Sequence, residues 1–281
     1  MILLKAIGRL TLLLPAKLSG LAMPLWISVV YTLMLAPVVI LAVISVFDQQ
    51  IVSFPPEGWT WRWYLNAWDH PEFATGLLIS LQVAVLSTLI GVPLGTAAAL
   101  ALVRSKLLGK SFFNYLLLGP LVVPGVVAGA ALYLAYVRWE NLLDMDITAT
   151  LGGLVAGHTL LAMPWTVRLV VASLEGMDRS AEEAAVNLGA RPWTVFRRVT
   201  LPMMRSGVIA AMLFAFIQSF ENLDLSLLLV GPGSSTLPVA MLSYLEFRID
   251  PTLAAVATVQ VVVIGVLMVV TDRFVKLSRI V

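Results

Sequence analysis

Polar and ionisable side chains interrupt a long apolar stretch between residues 203 and 230. Gln218, Glu221 and Asp224 recur every three residues, and Asn222 lies beside them. On a helix, this spacing predicts a slowly turning polar stripe along one face. A charged side chain inside a bilayer costs at least a few kcal/mol, so ionisable groups there are candidates for function. We expect these acids to line a path that attracts a cationic solute; the alternatives are pairing with a second subunit and capping of the helix end.

Two features outside this stretch have weaker claims. Glu246 is a candidate for the outer end of the same path, although it could equally pair with Arg248. The aromatic residues of the segment 59–64, with sequence WTWRWY, are typical of the belt of Trp and Tyr at a membrane–water interface. Neither feature predicts a function by itself.

Groups for catalysis or metal binding are sparse in this sequence. There is no cysteine, and the two histidines, His70 and His158, do not have the spacing of metal ligands. The segment 104–111, RSKLLGKS, ends like a phosphate-binding loop but begins with Arg104 where glycine is required. We therefore expect no catalytic residue, no metal site and no cofactor on this chain, which argues against an enzyme.

The composition indicates a membrane protein, since 60% of the residues are hydrophobic and only 12% are charged. A membrane-spanning helix needs about 20 mostly apolar residues. Six segments meet this requirement, so we predict an all-α polytopic membrane protein with six transmembrane helices. They are Met23–Phe47, Phe73–Val103, Phe112–Val137, Leu151–Leu174, Met203–Val230 and Leu253–Val275.

The charges in the connecting segments predict the orientation of these helices. Fifteen of the 18 Lys and Arg residues fall in alternate connections and at the two ends, whereas Arg62, Arg138 and Arg248 fall in the others, which are acidic. Short cytoplasmic loops carry the excess of cationic residues. Both termini are therefore predicted to be cytoplasmic, with residues 1–22 forming a cytoplasmic or interfacial segment.

The connection 175–202 is predicted to lie in the cytoplasm and to contain two short helices. Its sequence is EGMDRSAEEAAVNLGARPWTVFRRVTLP. Small apolar residues recur at helical spacing over Met177–Leu188, with acids near the start, and Gly189 is suited to end that helix. A second helix is expected to start at Pro192 and run towards Pro202. An amphipathic pair of this kind needs a partner for its apolar face; the alternative is a position on the lipid surface.

This connection resembles the EAA loop of bacterial ABC importer permeases. The matching residues are Glu183-Ala184-Ala185, then Gly189, and finally Val199-Thr200-Leu201-Pro202, with Val199 where isoleucine is usual. The resemblance implies a type I importer permease fold. It also implies that the loop docks on a cytoplasmic ATPase subunit and couples ATP-driven closure to alternating access. The implied coupling residues are Glu182, Glu183, Ala184, Ala185, Gly189, Leu201 and Pro202.

Further segments resemble the spermidine/putrescine-like branch of these permeases: GHT at 157–159, MPWTVR at 163–168, GPGSSTLP at 231–238 and the aromatic segment 59–64. The resemblance implies one permease domain over 1–281, in which 23–72 holds the first helix and an outer loop and 73–275 forms the transport core. That branch has acidic residues in the stretch that contains Glu221, so the resemblance implies that Glu221 lies on the solute path.

The partners implied by the same resemblance are a second, homologous permease subunit, two ATP-binding subunits that carry ATP and Mg, and a periplasmic substrate-binding protein. The implied location is the bacterial inner membrane, and no nucleic acid is expected as a partner. Other small solutes, such as opines, phosphonates or amino-acid-like compounds, stay open as alternatives to polyamines. A proton-coupled secondary transporter is the rival outside this class, with Glu221 and Asp224 as its relay.

Overall fold

The computed structural model describes residues 16–51, 53–105, 108–231 and 233–275, with side chains from Met23 to Arg273. Most of the predicted interfacial segment 1–22 therefore lies outside the described residues, as do the cationic residues Lys106, Lys276 and Arg279. Within the described part of the chain every regular element is a helix; strand-like pairing is limited to two isolated bridges.

The helices, numbered in chain order, alternate between long spans and short connecting elements. They are α1 Ala16–Ile44, α2 Arg62–Asp69, α3 Pro71–Arg104, α4 Lys110–Leu118, α5 Gly125–Leu143, α6 Leu151–Glu175, α7 Ser180–Asn187, α8 Pro192–Val195, α9 Arg205–Phe220, α10 Asp224–Leu229, α11 Leu237–Phe247 and α12 Thr252–Val275. A 3₁₀ turn, Gly119–Leu121, extends α4, and α8 continues through a π turn, Phe196–Thr200, and a short turn, Leu201–Met203.

Four helices, α1, α3, α6 and α12, are each long and apolar enough to cross a membrane. Two bent pairs bring the count to six if each pair is one span: Lys110–Leu121 with Gly125–Leu143, and Pro192–Met203 with Arg205–Phe220. The predicted first, second, fourth and sixth helices correspond to the four continuous spans, and their ends move by a few residues. The short helices α2 and α11 were not predicted.

Two of the predicted spans are not continuous. The predicted helix Phe112–Val137 is bent by 103° between Leu121 and Gly125. The predicted helix Met203–Val230 ends at Phe220 and resumes at Asp224. The first break contains Pro124, which lacks an N–H donor and cannot continue the hydrogen-bond ladder of a helix. At the second break, the helix ends at a point where polar side chains replace apolar ones.

The described chain divides into two compact units. One unit runs up to Asn66 and includes Ile249–Val259. In it, the indole of Trp63 donates a hydrogen bond of 2.6 Å to the Phe47 carbonyl, and Arg62 pairs with Asp48 at 2.8 Å. The other unit comprises Ala67–Arg248 and the residues from Gln260 onward, and it contains the long connection 175–202 and the polar residues near 220.

The core of the larger unit is the packing of α3, α6 and α9. Gly91 and Gly95 of α3 lie against Ala162 and Thr166 of α6 so closely that a Cβ on Gly95 would be 2.7 Å from the Thr166 side chain. Small residues at such a crossing let two backbones approach where lipid supplies no hydrophobic drive. Gly91 and Gly95 thus form a packing contact between α3 and α6.

Adding a methyl group tests this crossing. Gly95→Ala should lower the apparent melting temperature of the detergent-purified protein, because overpacking costs about 1–3 kcal/mol and exceeds the helix-propensity gain of about 1 kcal/mol. Gly265→Ala in α12 is the matched control, since a Cβ there meets nothing within 4 Å. It should leave the melting temperature equal or raise it. Equal effects of the two substitutions would contradict the close crossing.

Candidate functional site

We use the term broken spans for the two predicted helices that are interrupted, Phe112–Val137 and Met203–Val230; they meet at Asp224. This residue begins α10, and its side chain packs on Gly125, the first residue of α5: a Cβ on Gly125 would lie 2.9 Å from the Asp224 Cβ. One turn further along α5, Gly129 faces the Asp224 carbonyl and Leu225. Glycine at both positions lets the start of α10 lie directly against α5, so the two interruptions form one local feature, which we call the junction.

The predicted polar stripe on one helix is wrong, because the helix ends inside it. Gln218 lies half-buried in the last turn of α9, Glu221 follows that helix directly, and Asp224 belongs to the next one. Asn222 has a structural task, since its Oδ1 accepts the Leu225 N–H at 2.9 Å and so bonds a backbone donor at the start of α10. The residues are still brought together, but by the break between two helices.

The two carboxylates at the junction, Glu221 and Asp224, are both exposed. Among the residues that the structure describes, neither forms an ion pair. An ionised carboxylate cannot face hydrocarbon without a large cost, so each must face water, a cation or another subunit. Since α9 is 16 residues long, these acids lie about 24 Å along the span from Arg205. The junction therefore presents negative charge at the opposite end of α9 from Arg205.

A cavity of about 330 Å³ adjoins the junction. Asn222 is the polar side chain in its lining, and the other lining residues are apolar or glycine, drawn from the broken third span, from α6 and from Leu225. Its volume lies at the lower end of the range for small-molecule pockets. The combination is an apolar recess beside exposed carboxylates, which suits the methylene chain and the charged end of an organic cation.

The connection 175–202 forms the two short helices that the sequence predicted. Asp178 precedes α7 and accepts hydrogen bonds from the Ser180 N–H at 2.9 Å and the Ser180 hydroxyl at 2.7 Å. These bonds lower the pKa of the Asp178 carboxyl below its usual value. Gly189 has φ +80°, in the left-handed region that favours glycine, so the turn between α7 and α8 depends on it.

The neighbouring acids Glu182 and Glu183 have opposite surroundings. The half-buried Glu182 pairs with Arg104, at the end of α3, at 3.0 Å, and its other oxygen accepts the Thr200 hydroxyl at 2.6 Å. Glu183 is exposed. Glu182 thus ties the connection to the transmembrane core and to the π turn, whereas Glu183 is presented to solvent or to another protein. The sequence alone did not distinguish these two acids.

Around Glu183, apolar side chains lie on the surface. Val186, Leu188 and Trp193 are exposed, Leu188 at 89% of its area. Of the other residues predicted to couple to an ATPase, Ala184 and Pro202 are exposed, while Ala185 and Leu201 are half-buried. Exposed large apolar groups beside an acid on a water-facing loop are typical of a protein interaction surface. We call Glu183, Val186, Leu188 and Trp193 the loop surface.

The weaker candidates lie elsewhere in the structure. Glu246 is exposed on α11, apart from the junction residues in sequence and in helix. The suggested pairing of Glu246 with Arg248 is replaced by another contact, because the Arg248 guanidinium lies 3.0 Å from His70 Nε2 while Glu72 lies 2.9 Å from His70 Nδ1. In the aromatic segment Trp63 is buried, but Trp59 and Trp61 are exposed.

Comparison with known proteins places the chain in a family. Residues 91–279 match the family described as binding-protein-dependent transport system inner membrane component. The putrescine transport system permease protein PotI of Escherichia coli is 30% identical over 237 residues, 84% of each chain. The spermidine/putrescine permease protein PotC of the same organism is 25% identical, covering 90% of this chain and 93% of PotC. The molybdenum transport permease protein ModB of Mycobacterium tuberculosis is 34% identical over 71% of this chain and 78% of ModB.

Solved structures agree on the fold. A chain of a bacterial ABC transporter that imports the acidic polysaccharide alginate superposes with a TM-score of 0.68 at 13% identity, covering 92% of this chain and 96% of that one. The inward-facing methionine ABC transporter MetNI gives a TM-score of 0.55 at 17% identity, covering 77% of this chain and 95% of that one. With the family match over two thirds of its length, this chain belongs to the inner membrane components of binding-protein-dependent transport systems, as the permease subunit of an ABC importer.

Proposed function

We propose that this permease carries polyamines of the putrescine and spermidine type across the inner membrane. The observation that carries the proposal is the pair of exposed carboxylates, Glu221 and Asp224, at the junction of two broken spans. A polyamine has ammonium groups at its ends and methylene groups between them. The carboxylates suit the ammonium groups, and the adjoining apolar cavity suits the methylene groups. The names of PotI and PotC support the same class of solute.

The charge at the junction separates this proposal from oxyanion import. Within the described residues from Gln218 to Leu229, Glu221 and Asp224 are the ionisable side chains and both are acidic. An anion such as molybdate, the cargo suggested by the ModB match, would be repelled there by two charges of the same sign. Opines, phosphonates and amino-acid-like compounds also carry anionic groups, so the same argument ranks them below a purely cationic solute.

The loop surface is proposed to dock on a cytoplasmic ATPase subunit. As a permease, this chain is a transport subunit, and ATP is hydrolysed by partner subunits that hold ATP and Mg. The exposed Glu183 would pair with a basic residue of the ATPase, with Val186, Leu188 and Trp193 supplying apolar contact. The rigid tie from Glu182 to Arg104 would then pass the movement of the loop to α3.

The complete assembly is proposed to contain a second, homologous permease, two ATP-binding subunits and a periplasmic substrate-binding protein. With the loop surface in the cytoplasm, both termini would also be cytoplasmic, in agreement with the distribution of Lys and Arg. ATP-driven closure of the ATPase pair would switch the permease pair between inward-facing and outward-facing states. The acids of the junction would be exposed to each side in turn.

Uptake measurements on the reconstituted complex test the substrate. Proteoliposomes would contain this chain, its partner permease and the ATPase, with binding protein outside and ATP inside. We expect ATP-dependent uptake of putrescine or spermidine. Glu221→Gln should lower it about tenfold, since losing one favourable ion–ion contact of about 1.4 kcal/mol corresponds to that factor. Asp224→Asn should act in the same direction.

Glu246→Gln is the control for that experiment, because it removes the same charge from an exposed acid on α11. It should lower uptake far less than Glu221→Gln. Normal polyamine uptake by Glu221→Gln and Asp224→Asn in an assembled complex would refute the role of the junction acids. ATP hydrolysis stimulated by binding protein without polyamine uptake would refute the substrate.

The two neighbouring acids of the cytoplasmic loop should respond differently to substitution. Glu182→Ala removes an ionic contact and a hydrogen bond, each worth about 1–3 kcal/mol. It should therefore speed tryptic cleavage at the exposed Arg197 and Arg198. Glu183→Lys should leave the rate of cleavage after Arg197 and Arg198 unchanged, although the introduced lysine is itself a new tryptic site. It should uncouple ATP hydrolysis from uptake, because it reverses the charge on the loop surface.

The paired measurement makes each variant the control for the other. Cleavage rates are read from the isolated permease complex in detergent, and coupling is read as solute transported per ATP hydrolysed. Unchanged uptake in Glu183→Lys would exclude the docking role. Equal tryptic rates for Glu182→Ala and the unsubstituted chain would exclude the tie to Arg104 as a support of the loop.

A further inference from the structure

A fully buried histidine lies behind the junction and bonds to both sides of the break. His158 of α6 has no exposed area. Its Nδ1 lies 2.8 Å from the hydroxyl of Ser219, in the last turn of α9, and its Nε2 lies 3.2 Å from the hydroxyl of Ser226, in the first turn of α10. One imidazole thus spans the interval in which the helix is interrupted.

The contacts continue beyond the imidazole at both ends. The Ser219 hydroxyl accepts a hydrogen bond from the Ser87 hydroxyl of α3 at 3.1 Å. The Ser226 hydroxyl donates to the Asn222 carbonyl at 2.7 Å, inside the break itself. The result is a buried chain from α3 through α9 and α6 to the free backbone of the junction. A backbone carbonyl at a helix break in a membrane must be bonded within the protein.

The number of available hydrogens fixes which atom donates in each hydrogen bond of this buried series. The Ser226 hydroxyl has one hydrogen, and it is used on the Asn222 carbonyl, so its contact with His158 requires a proton on Nε2. A neutral imidazole with its proton on Nε2 has a lone pair on Nδ1, which accepts the Ser219 hydroxyl hydrogen. The Ser87 hydroxyl has one hydrogen, which can go to Ser219 at 3.1 Å or to the Ala84 carbonyl at 3.2 Å. This arrangement supplies each contact from Ser219 to the Asn222 carbonyl with one hydrogen.

The other tautomer fails at one point. With the proton on Nδ1, the bare Nε2 and the Asn222 carbonyl would both require the single hydrogen of Ser226. One of these two buried acceptors would then lack a donor. An unsatisfied buried polar group costs about as much as a lost hydrogen bond or more.

We propose that His158 is a positioning residue of the translocation path: through Ser219 and Ser226 it holds the break in place, and so sets the position of Asn222, Glu221 and Asp224. His158 does not touch the solute in this account. The inference rests on the proposed passage of solute at the junction. It adds that the geometry of the junction is fixed from behind, by a side chain on a neighbouring span.

Isosteric amides separate the two halves of the imidazole. In His158→Gln the side-chain amide reaches the position of Nε2 and keeps a donor for Ser226. In His158→Asn the amide reaches only the position of Nδ1 and loses Ser226. We expect His158→Gln to keep at least about half of the ATP-dependent putrescine uptake and His158→Asn to lose about tenfold. If His158 acted through packing alone, His158→Gln would not retain more uptake than His158→Asn.

A pair of serine substitutions provides the matched control. Ser226→Ala removes the link to the Asn222 carbonyl. It should raise the KM for putrescine and lower uptake about as much as His158→Asn does. Ser87→Ala removes only the far end of the chain and should have an effect of less than about twofold. Both serines are fully buried, so the cost of burial is the same. Equal losses in the two variants would overturn the proposal.

The tautomer is measured independently of transport. When only this chain carries ¹⁵N-histidine in the reconstituted complex, solid-state NMR gives signals from its two histidines, and His158→Gln identifies the one from His158. A protonated Nε2 with an unprotonated Nδ1 supports the proposal, and a protonated Nδ1 overturns it. This readout needs no substrate. An absence of putrescine uptake in the unsubstituted complex would refute the polyamine proposal, whereas the hydrogen bonds of His158 would still be tested by the NMR signals.

Discussion

A bilayer requires that every backbone donor and acceptor be bonded within the protein and that no charge face lipid. The two broken spans of this permease depart from continuous helices under that constraint. A break in a single isolated span would leave its backbone groups without partners. Here two breaks lie against each other, so each can be covered by protein, and the charged residues gathered there need a polar route rather than a lipid surface.

The means by which the breaks are satisfied explain the choice of residues around them. Pro124 has no N–H to bond, Asn222 bonds the Leu225 N–H, and Ser226 bonds the Asn222 carbonyl. Gly125 leaves room for the Asp224 side chain. The carboxylates of Glu221 and Asp224 take no part in this bonding, which leaves them free to act on a solute. Groups that stabilise the breaks and groups that we propose to act on the solute therefore alternate within a few residues.

Much of the fold followed from the sequence, because long apolar runs are strong signals. The connection 175–202 was equally readable, since Gly189 and the EAA pattern fix a helix, a left-handed turn and a second helix. The break at 221–223 was not predicted. Gln218, Glu221 and Asp224 have helical spacing, and the groups that stabilise the interruption, His158 above all, come from another span. Likewise, the separate tasks of Glu182 and Glu183 depend on Arg104, which lies 78 residues earlier in the chain.

We propose that the junction lies on the solute path, and the accessibility of an introduced thiol measures this. The chain has no cysteine, so Glu221→Cys gives a single reactive group. Leu33→Cys, at an exposed apolar position within α1, is the comparison site facing lipid or protein. In the assembled transporter we predict that a membrane-impermeant thiol reagent modifies position 221 faster than position 33, and that the rate changes when ATP closes the ATPase pair. Equal, state-independent rates at the two positions would contradict the account.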